Sequence, residues 1–515
     1  MVSLLDNSSG LSFSLHQPSQ LLLYVVCLTA LAGVVYYYGL SKLVNIGGFR
    51  HTRLPPGPKD RWFEPGPKAA LKYERMIQEY GPVFSFRQGN KVVVVIGRFQ
   101  AAVDIMQKHG GDLADRPRSV AAGEIFSGGM RTLLTPRGDR LRKLRRALHS
   151  QLQPAVTHQW VPAQWKYARM HILDLLNRPE HHIEHARRYA ASVIMTLTYG
   201  KRTPSNYSDP EVQAIVKNGL ELGKLLTKTH IVDIYPILKY IPFLTSDLRQ
   251  GFKADHELYT SQVNVVRKQL EAGHAQQSFI TYLLDLQAEL GLNDDELAFL
   301  GGSMFGAGAE TTASAISFAI MAACKYPEEQ AKVQAQLDEV VGRERVPSKE
   351  DEPLLPRVVA FYMEVYRWRP VSWGGFAHRA TQDIIWNDYV IPEGATVVGS
   401  HWCIAKDPDV YPDPFLFNPD RWLNDDGLLK DEVPFWNFGF GRRVCPGQHV
   451  ANNSLFLNIA LILWAFTVSE DPSGPIDAMA FMDAANTRPF PFKVNFKPRF
   501  SGMREVVETS LAQAY

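Results

Sequence analysis

The sequence predicts a mainly α-helical chain with a smaller β-rich part, an α+β fold. Three observations lead there. Residues 137–349 carry helical spacing with few strand-like runs. Alternating or β-branched runs gather on the two flanks, at residues 83–97 and again from residue 383. The 515 residues show no internal repeat, so a solenoid is excluded and one large domain or two remain. Hydrophobic residues make up 45% and charged residues 21%, an ordinary globular mixture. A net charge of +2 gives no global pull toward nucleic acid, and none is expected as a partner. The four cysteines, Cys27, Cys324, Cys403 and Cys445, form no C-x-x-C pair. A zinc site or disulfide framework is therefore not expected, and the surroundings read as reducing.

The elements follow in order. Residues 21–40, "LLLYVVCLTALAGVVYYYGL", carry no charge and reach about 30 Å as a helix, the depth of a bilayer core. A cleaved signal peptide is the rival, helped by Ala30 and Ala32. It wants a basic segment before the apolar run, whereas Lys42, Arg50 and Arg53 follow it. Residues 1–20 are thus expected on the lumenal side, 21–40 as a transmembrane anchor and 41–60 as a basic, Pro-rich hinge ending in "LPPGP". Residues 61–515 are expected as the cytosolic domain.

"AALKYERMIQEYG" reads as a helix ended by Gly81, and "VFSFRQGNKVVVVIG" as a hairpin about "QGN". "RGDRLRKLRRALHSQL" is a strongly basic helix whose charges mostly face solvent. A long helix begins at Asn293 as N-cap, has Asp294 and Asp295 in its first turn, and stops before Pro327. Gly301, Gly302, Gly306 and Gly308 lie inside it. Each costs about 1 kcal/mol against Ala, so close approach to a flat ligand is expected. In its "AGAETT", Glu310 and Thr311 set a carboxylate beside a hydroxyl, a pair able to relay protons. A second membrane span competes, but an intramembrane Glu310 is costly. A dinucleotide loop also competes, but Thr311 stands where a third glycine belongs. Glu364 and Arg367 share a helix face, usually a minor surface pair. Strands return in "DIIWNDYVIPEGATVVGS" and again in "RPFPFKVNFKP". Between them, "GQHVANNSLFLNIALILWAF" is a helix apolar on most faces.

"FWNFGFGRRVCPGQHV" is the stretch with the most chemistry. Pro446 suits a helix start, which would aim free N–H groups at the sulfur of Cys445. Arg442 and Arg443 add positive field, and all three favour thiolate, a soft donor suited to iron. Gly439, Gly441 and Gly447 let the backbone turn and come close to a flat ligand. A buried, inert cysteine in a turn explains the local residues equally well.

Phe438-x-x-Gly441-x-Arg443-x-Cys445-x-Gly447 resembles, position for position, the haem-ligand loop of the cytochrome P-450 family. The resemblance implies the cytochrome P-450 fold and haem b, with Cys445 as axial thiolate of the iron. It implies that Arg443 meets a propionate, that Phe438 packs near the sulfur, and that the loop's last glycine is Gly447. Thr311 and Glu310 match the pair that delivers protons to dioxygen. Glu364 and Arg367 match a structural pair that locks with an arginine, here Arg421 of "NPDRW", where Asp420 replaces the usual Glu. Arg145 matches a propionate-binding arginine, while Leu141 stands where the family has Trp. His378 matches a position that often touches the other propionate.

The likeness covers almost the whole chain and is closest in character to fungal microsomal members. It implies a membrane-anchored, single-pass enzyme of the endoplasmic reticulum membrane. Such an enzyme hydroxylates a lipophilic small molecule with O2, in terpenoid-like secondary metabolism. With no flavin or nicotinamide fingerprint, electrons must come from an NADPH-cytochrome reductase. Expected pocket segments are 121–130, 371–376 and 486–491. Residues 231–244, "IVDIYPILKYIPFL", are expected to meet membrane lipid. Arg137, Arg140, Arg142, Lys143 and Arg146 are expected to meet the reductase. A haem-thiolate isomerase or dehydratase, or a tethered haem sensor, remains as an alternative, and neither needs the proton relay.

Overall fold

Gly81 takes φ 103°, a conformation that side chains resist, and helix α1 (Ala69–Tyr80) ends there. The next residues pair as β1 (Val83–Gln88) and β2 (Lys91–Ile96), from Val83 opposite Ile96 to Gln88 opposite Lys91. Gly89 turns the hairpin at φ 62°. Strand β2 then pairs in parallel with β6 (Thr396–Gly399), Val93 beside Thr396. Strand β3 (His378–Arg379) closes the far edge, giving the sheet order β1-β2-β6-β3. Strands β4 (Ile384–Trp386) and β5 (Tyr389–Ile391) form a separate hairpin, and β7 (Phe466–Glu470) pairs with β8 (Val494–Pro498). These positions come from a computed structural model describing residues 53–513 except 61, 62, 65, 67, 202–207, 433 and 435. The apolar run 21–40, the residues before it and most of the basic stretch after it lie outside those.

The helical layer comprises α2 (Asp139–Leu152), α3 (Val161–Asn177), α4 (His182–Tyr199), α5 (Pro210–Thr227) and α6 (Pro242–Glu271). It continues with α7 (Asp294–Lys325), α8 (Pro327–Val340), α9 (Pro356–Trp368), α10 (Gln448–Ala465) and α11 (Met503–Ala512). Asn293 caps α7 in a capping box with Glu296, and Asp294, Asp295 and Glu296 fill its first turn. By length and composition α7 could cross a bilayer, yet most of it is buried inside the protein. The cost of three of its four glycines has a different reason from the one expected. A Cβ on Gly302 would sit 2.4 Å from the Tyr259 ring, one on Gly308 2.7 Å from Ile194, and one on Gly301 2.9 Å from Ile280. These three bring α4, α6 and the helical turn at Ile280 close to α7, so packing between helices accounts for them.

Two further differences are local. Helix α10 starts at Gln448 with Gly447 as its cap, so Pro446 precedes the helix instead of opening it. "RPFPFKVNFKP" yields a strand only from Val494; Pro489 makes an isolated bridge to Phe481. The prolines explain the short strand, since they cannot donate to a ladder. Residues 55–57 lie against β1: Ser85 donates its Oγ to Pro55 O (2.6 Å) and its N–H to Pro56 O (2.8 Å).

Candidate active site

The loop before α10 is built by backbone. Gly439 (φ 90°) and Gly441 (φ 57°) reverse the chain, and the Cys445 N–H closes it on Phe438 O at 2.9 Å. Gly441 also lies against Gly110. A Cβ on either would come within 2.8 Å of the other's Cα, and the Gly441 N–H donates to Gln107 Oε1 at 2.8 Å. Phe438 packs its ring on Tyr366, centroids 5.3 Å apart.

Cys445 is exposed by its accessible surface, yet enclosed closely enough by protein that burial raises its thiol pKa. Both hold for a side chain that faces interior space. The Gly447 N–H and the charge of Arg145 act in the lowering direction without cancelling burial. The sequence pointed to Arg442 and Arg443 for that field. Arg442 is exposed instead, and Arg443 is turned to backbone carbonyls. A thiolate here calls for more positive charge at the sulfur than Arg145 and the Gly447 N–H supply. A side chain added at Gly447 would meet only the Cys445 sulfur, at 3.9 Å, so no neighbouring protein atom demands a glycine there. In α7, Ala307 is likewise exposed although its helix is mostly buried.

Three guanidiniums gather near the cysteine. Arg145 of α2 donates to Val444 O at 2.8 Å. Arg443 donates to the carbonyls of Ala114, Thr132 and Thr135. Arg116 donates to those of Leu133, Phe376 and Ala377. None makes an ion pair among the described residues. Asp115, next in chain to Arg116, is engaged by Arg379 at 2.6 Å and by the Arg137 N–H at 2.7 Å. Burial, then mutual repulsion, pushes Arg116 down to about 9 and Arg443 to about 10; burial lowers Arg145 too. His378, its Nδ1 2.6 Å from Leu113 O, is held neutral, its pKa about 3 from burial and the nearby arginines. Buried positive charge without an anion is costly. A ligand with two carboxylates supplies what the protein lacks, and haem with its propionates fits this donor set.

Across the site the proton-relay pair is not joined. The Thr311 hydroxyl donates to Ala307 O at 2.7 Å, within its own helix. Glu310 accepts from Arg488 Nη1 at 3.1 Å and lies 3.9 Å from Arg187 Nε. Two of the three expected pocket segments, 371–376 and 486–491, meet: the Thr487 N–H donates to Val371 O (2.6 Å). Residues 120–126 wind as a wide helical turn whose first N–H groups, on Val120 and Ala121, donate to Asp233 at 2.6 and 3.1 Å. Beside it a cavity of 340 Å³ is lined by Glu124, Ile125, Gly128, Lys239, Tyr240, Arg249 and Phe252.

The structural cluster is brought together in full. Glu364 and Arg367 are wholly buried, with Arg367 Nη2 2.7 Å from one carboxylate oxygen and Nε 2.8 Å from the other. Arg421 Nε adds 3.1 Å, Trp422 Nε1 3.0 Å and the Asn418 N–H 2.8 Å. The basic face of α2 is less free than its sequence suggests. Arg140 and Lys143 hold Glu296 at the start of α7, at 3.0 and 2.6 Å, and Arg142 pairs with Asp139. Leu141, at the position of the missing Trp, is buried in that helix's apolar face.

Sequence reasoning did not find Arg116, Arg187 or Arg488. Arg116 sits in an extended "DRP", where Pro117 forbids a helix. Nothing local distinguishes it from a surface arginine.

Known proteins agree with this geometry. The sequence model of the family described as Cytochrome P450 matches residues 62–496. "Cytochrome P450 monooxygenase 88" of Postia placenta is 51% identical over 490 residues, 94% of this chain and 99% of that one. "Cytochrome P450 monooxygenase 113" of the same fungus is 50% identical over 92% of this chain and 97% of its own. A cytochrome P450 monooxygenase of Armillaria gallica is 34% identical over 88% of this chain and 92% of its own. The chain belongs to the cytochrome P450 family and is a monooxygenase that uses haem as its cofactor.

Proposed function

We propose that this monooxygenase hydroxylates a lipophilic small molecule of fungal, terpenoid-like secondary metabolism. It does so at the cytosolic face of the endoplasmic reticulum membrane, with electrons from an NADPH-cytochrome reductase. The observation that carries the site assignment is the anion-free cluster of Arg116, Arg145 and Arg443 about the Cys445 loop. Cys445 would ligate the iron, and those arginines would hold the propionates, with neutral His378 beside them. When bound, the haem supplies activation of O2 with two external electrons.

The chain's own part is positioning and proton supply. Thr311 presents a hydroxyl held by Ala307 O, and Glu310 a carboxylate that accepts from Arg488, so each group is oriented before use. Ile237, Tyr240 and Phe243 are 72%, 70% and 78% exposed, an apolar surface suited to lipid and to passage of an apolar substrate. It lies beside the cavity over Phe252. Residues 1–20 would lie on the lumenal side, 21–40 would anchor the chain in the bilayer and 41–60 would serve as the tether. Residues 61–515 form the catalytic domain in the cytosol. Glu364, Arg367 and Arg421 serve the fold, Arg146 the contact with reductase.

The reduced, CO-bound protein should show the red-shifted Soret band of a thiolate-ligated haem, and Cys445→Ala should abolish it. Retention of that band in Cys445→Ala overturns the assignment. Candidate terpenoid scaffolds, incubated with protein, reductase and NADPH, should return products heavier by one oxygen on mass spectrometry. Mass gain only among polar scaffolds would overturn the lipophilic substrate class.

A further inference from the structure

Two short helical turns, Ile231–Ile234 and Pro236–Tyr240, lead into α6, and they are apolar on both faces. The inner face, with Val232 and Leu238, closes on a small core that includes Ala121, Phe126 and Leu248. The outer face is bare: Ile231, Ile234, Tyr235, Ile237, Tyr240 and Phe243 are all exposed. So dense a row exceeds the scattered apolar residues that a water-facing surface carries.

The 340 Å³ cavity opens beside this row, and its walls are built into the fold. Phe252 of α6 lies over Gly128, its ring 2.3 Å from where a Cβ would stand, and Phe126 lies in the same way over Gly251 at 2.3 Å. The 120–128 turn and α6 therefore interlock through a glycine on each. Behind the cavity, Phe252 stacks on Phe299 of α7, centroids 5.8 Å apart and rings 15° from parallel. The charge about the cavity is basic. Glu124, which lines it, is shared by Arg118 at 2.6 Å and Lys239 at 2.8 Å. Arg249 lines it too. It donates to Thr245 Oγ1 and to Lys239 O, both at 3.2 Å, and makes no ion pair among the described residues. Asp233 is turned instead to the Val120 and Ala121 N–H groups. Three cations thus face one carboxylate beside a bare apolar row.

A free anion matches only half of this, since Ile125, Tyr240 and Phe252 offer it apolar walls. A small lipophilic acid would fill the cavity and leave the outer row uncovered. Phosphatidylcholine would set an ammonium beside the cations. An acidic phospholipid covers both parts, its phosphate on Arg249 and Lys239 and its chains over Ile237, Tyr240 and Phe243. We propose that this cavity is a binding site for the phosphate headgroup of an acidic phospholipid, with Arg249 as the residue that grips it. The inference rests on the reading of residues 231–244 as a lipid-facing surface, and adds which lipid and which side chain.

The test uses the full-length holoprotein in lipid nanodiscs. Amide hydrogen exchange of residues 120–128 and 236–245 is compared between discs of phosphatidylcholine and discs carrying about 20 mol% phosphatidic acid. Phosphatidic acid should slow exchange in both segments about fivefold; Arg249→Gln should abolish that slowing, and Arg249→Lys should keep most of it. Lys253→Gln, one turn further along α6, should respond as wild type does. No difference between the two kinds of disc would overturn the proposal. A slowing that survives Arg249→Gln would overturn it, and so would one that Lys253→Gln also loses, because surface charge at large would then be responsible. Equal slowing by inorganic phosphate or by decanoate would make the occupant a free anion or a small acid and would overturn it too. Short-chain phosphatidic acid, added to the holoprotein outside any bilayer, separates this site from the wider membrane reading. If the protein stays out of discs yet short-chain phosphatidic acid protects both segments, the membrane reading fails and the headgroup site stands. If the protein enters discs and neither form protects, the headgroup site alone fails.

Discussion

Two glutamates, each held by two arginines, mark two regions of this enzyme with opposite demands. Glu364 is wholly buried and accepts from Arg367, Arg421, Trp422 and the Asn418 backbone, so its lone pairs are spent on the fold. Glu310 is 18% exposed, has a single hydrogen bond among the described residues, and has its second arginine at 3.9 Å. A carboxylate with every lone pair satisfied in a rigid shell cannot exchange a proton without unfolding that shell. One held by a single hydrogen bond can. Under the proposed function the same two residue types would serve architecture in one region and chemistry in the other, and the number and mobility of partners would decide which.

The largest expected effect lies on the structural side. Glu364→Ala leaves the buried Arg367 and the partly buried Arg421 without their carboxylate, which costs about 3–5 kcal/mol. Purified protein should lose haem and unfold at lower urea; full haem content with an unchanged midpoint would erase the contrast. Acid should expose the same rigidity. His171, bonded to Asn458, is kept neutral by burial with a pKa of about 3. Its folded pKa is below the unfolded value of about 6.5, so its stabilising share is complete above that pH. That share is lost as pH falls toward 3, at up to about 1.4 kcal/mol per pH unit. The unfolding free energy of wild type should fall over that window, and His171→Gln should flatten the slope. An identical slope in both would place the proton uptake elsewhere.

On the chemical side stability should barely move. Glu310→Gln should cost less than about 1 kcal/mol, keep the haem spectrum, and lower product formed per NADPH about a hundredfold. Thr311→Ala should also keep the spectrum while electrons leave as peroxide. Unchanged coupling in both would deny the pair its role. The smallest effect belongs to the surface. Arg146 is exposed, whereas Arg140 and Lys143 hold Glu296. Arg146→Glu should raise the reductase concentration for half-maximal rate about twofold at low salt, and less as salt rises. A salt-independent change would point to a fold defect instead.

What the sequence revealed was what is local. Gly81, the "QGN" hairpin, the Asn293 cap and the cysteine loop each announce themselves within a few residues, because caps, turns and motifs act at short range. The whole helical middle was legible for the same reason. Arg116, Arg187 and Arg488 were not, since a guanidinium's partner is decided by which segments the fold brings beside it. The parallel pairing of Val93 with Thr396 is of that kind too. Glycines in α7 show the limit from the other side. Their cost was visible, but the reason, Tyr259 and Ile194 lying against the helix, is a tertiary fact. Likewise the basic run of α2 read as free charge until Glu296 was seen to engage two of its members.

The contact between Gly110 and Gly441 has a consequence for genetics. Each glycine is the other's wall, so no larger residue at one position can be accommodated by shrinking its partner. A screen for pale, haem-free colonies should return substitutions at Gly110 beside those in the cysteine loop, though Gly110 carries no chemistry. Suppressors of such alleles should map to neither glycine. They should arise instead in the segment that ends at Gln107, where the backbone can withdraw and give the loop room.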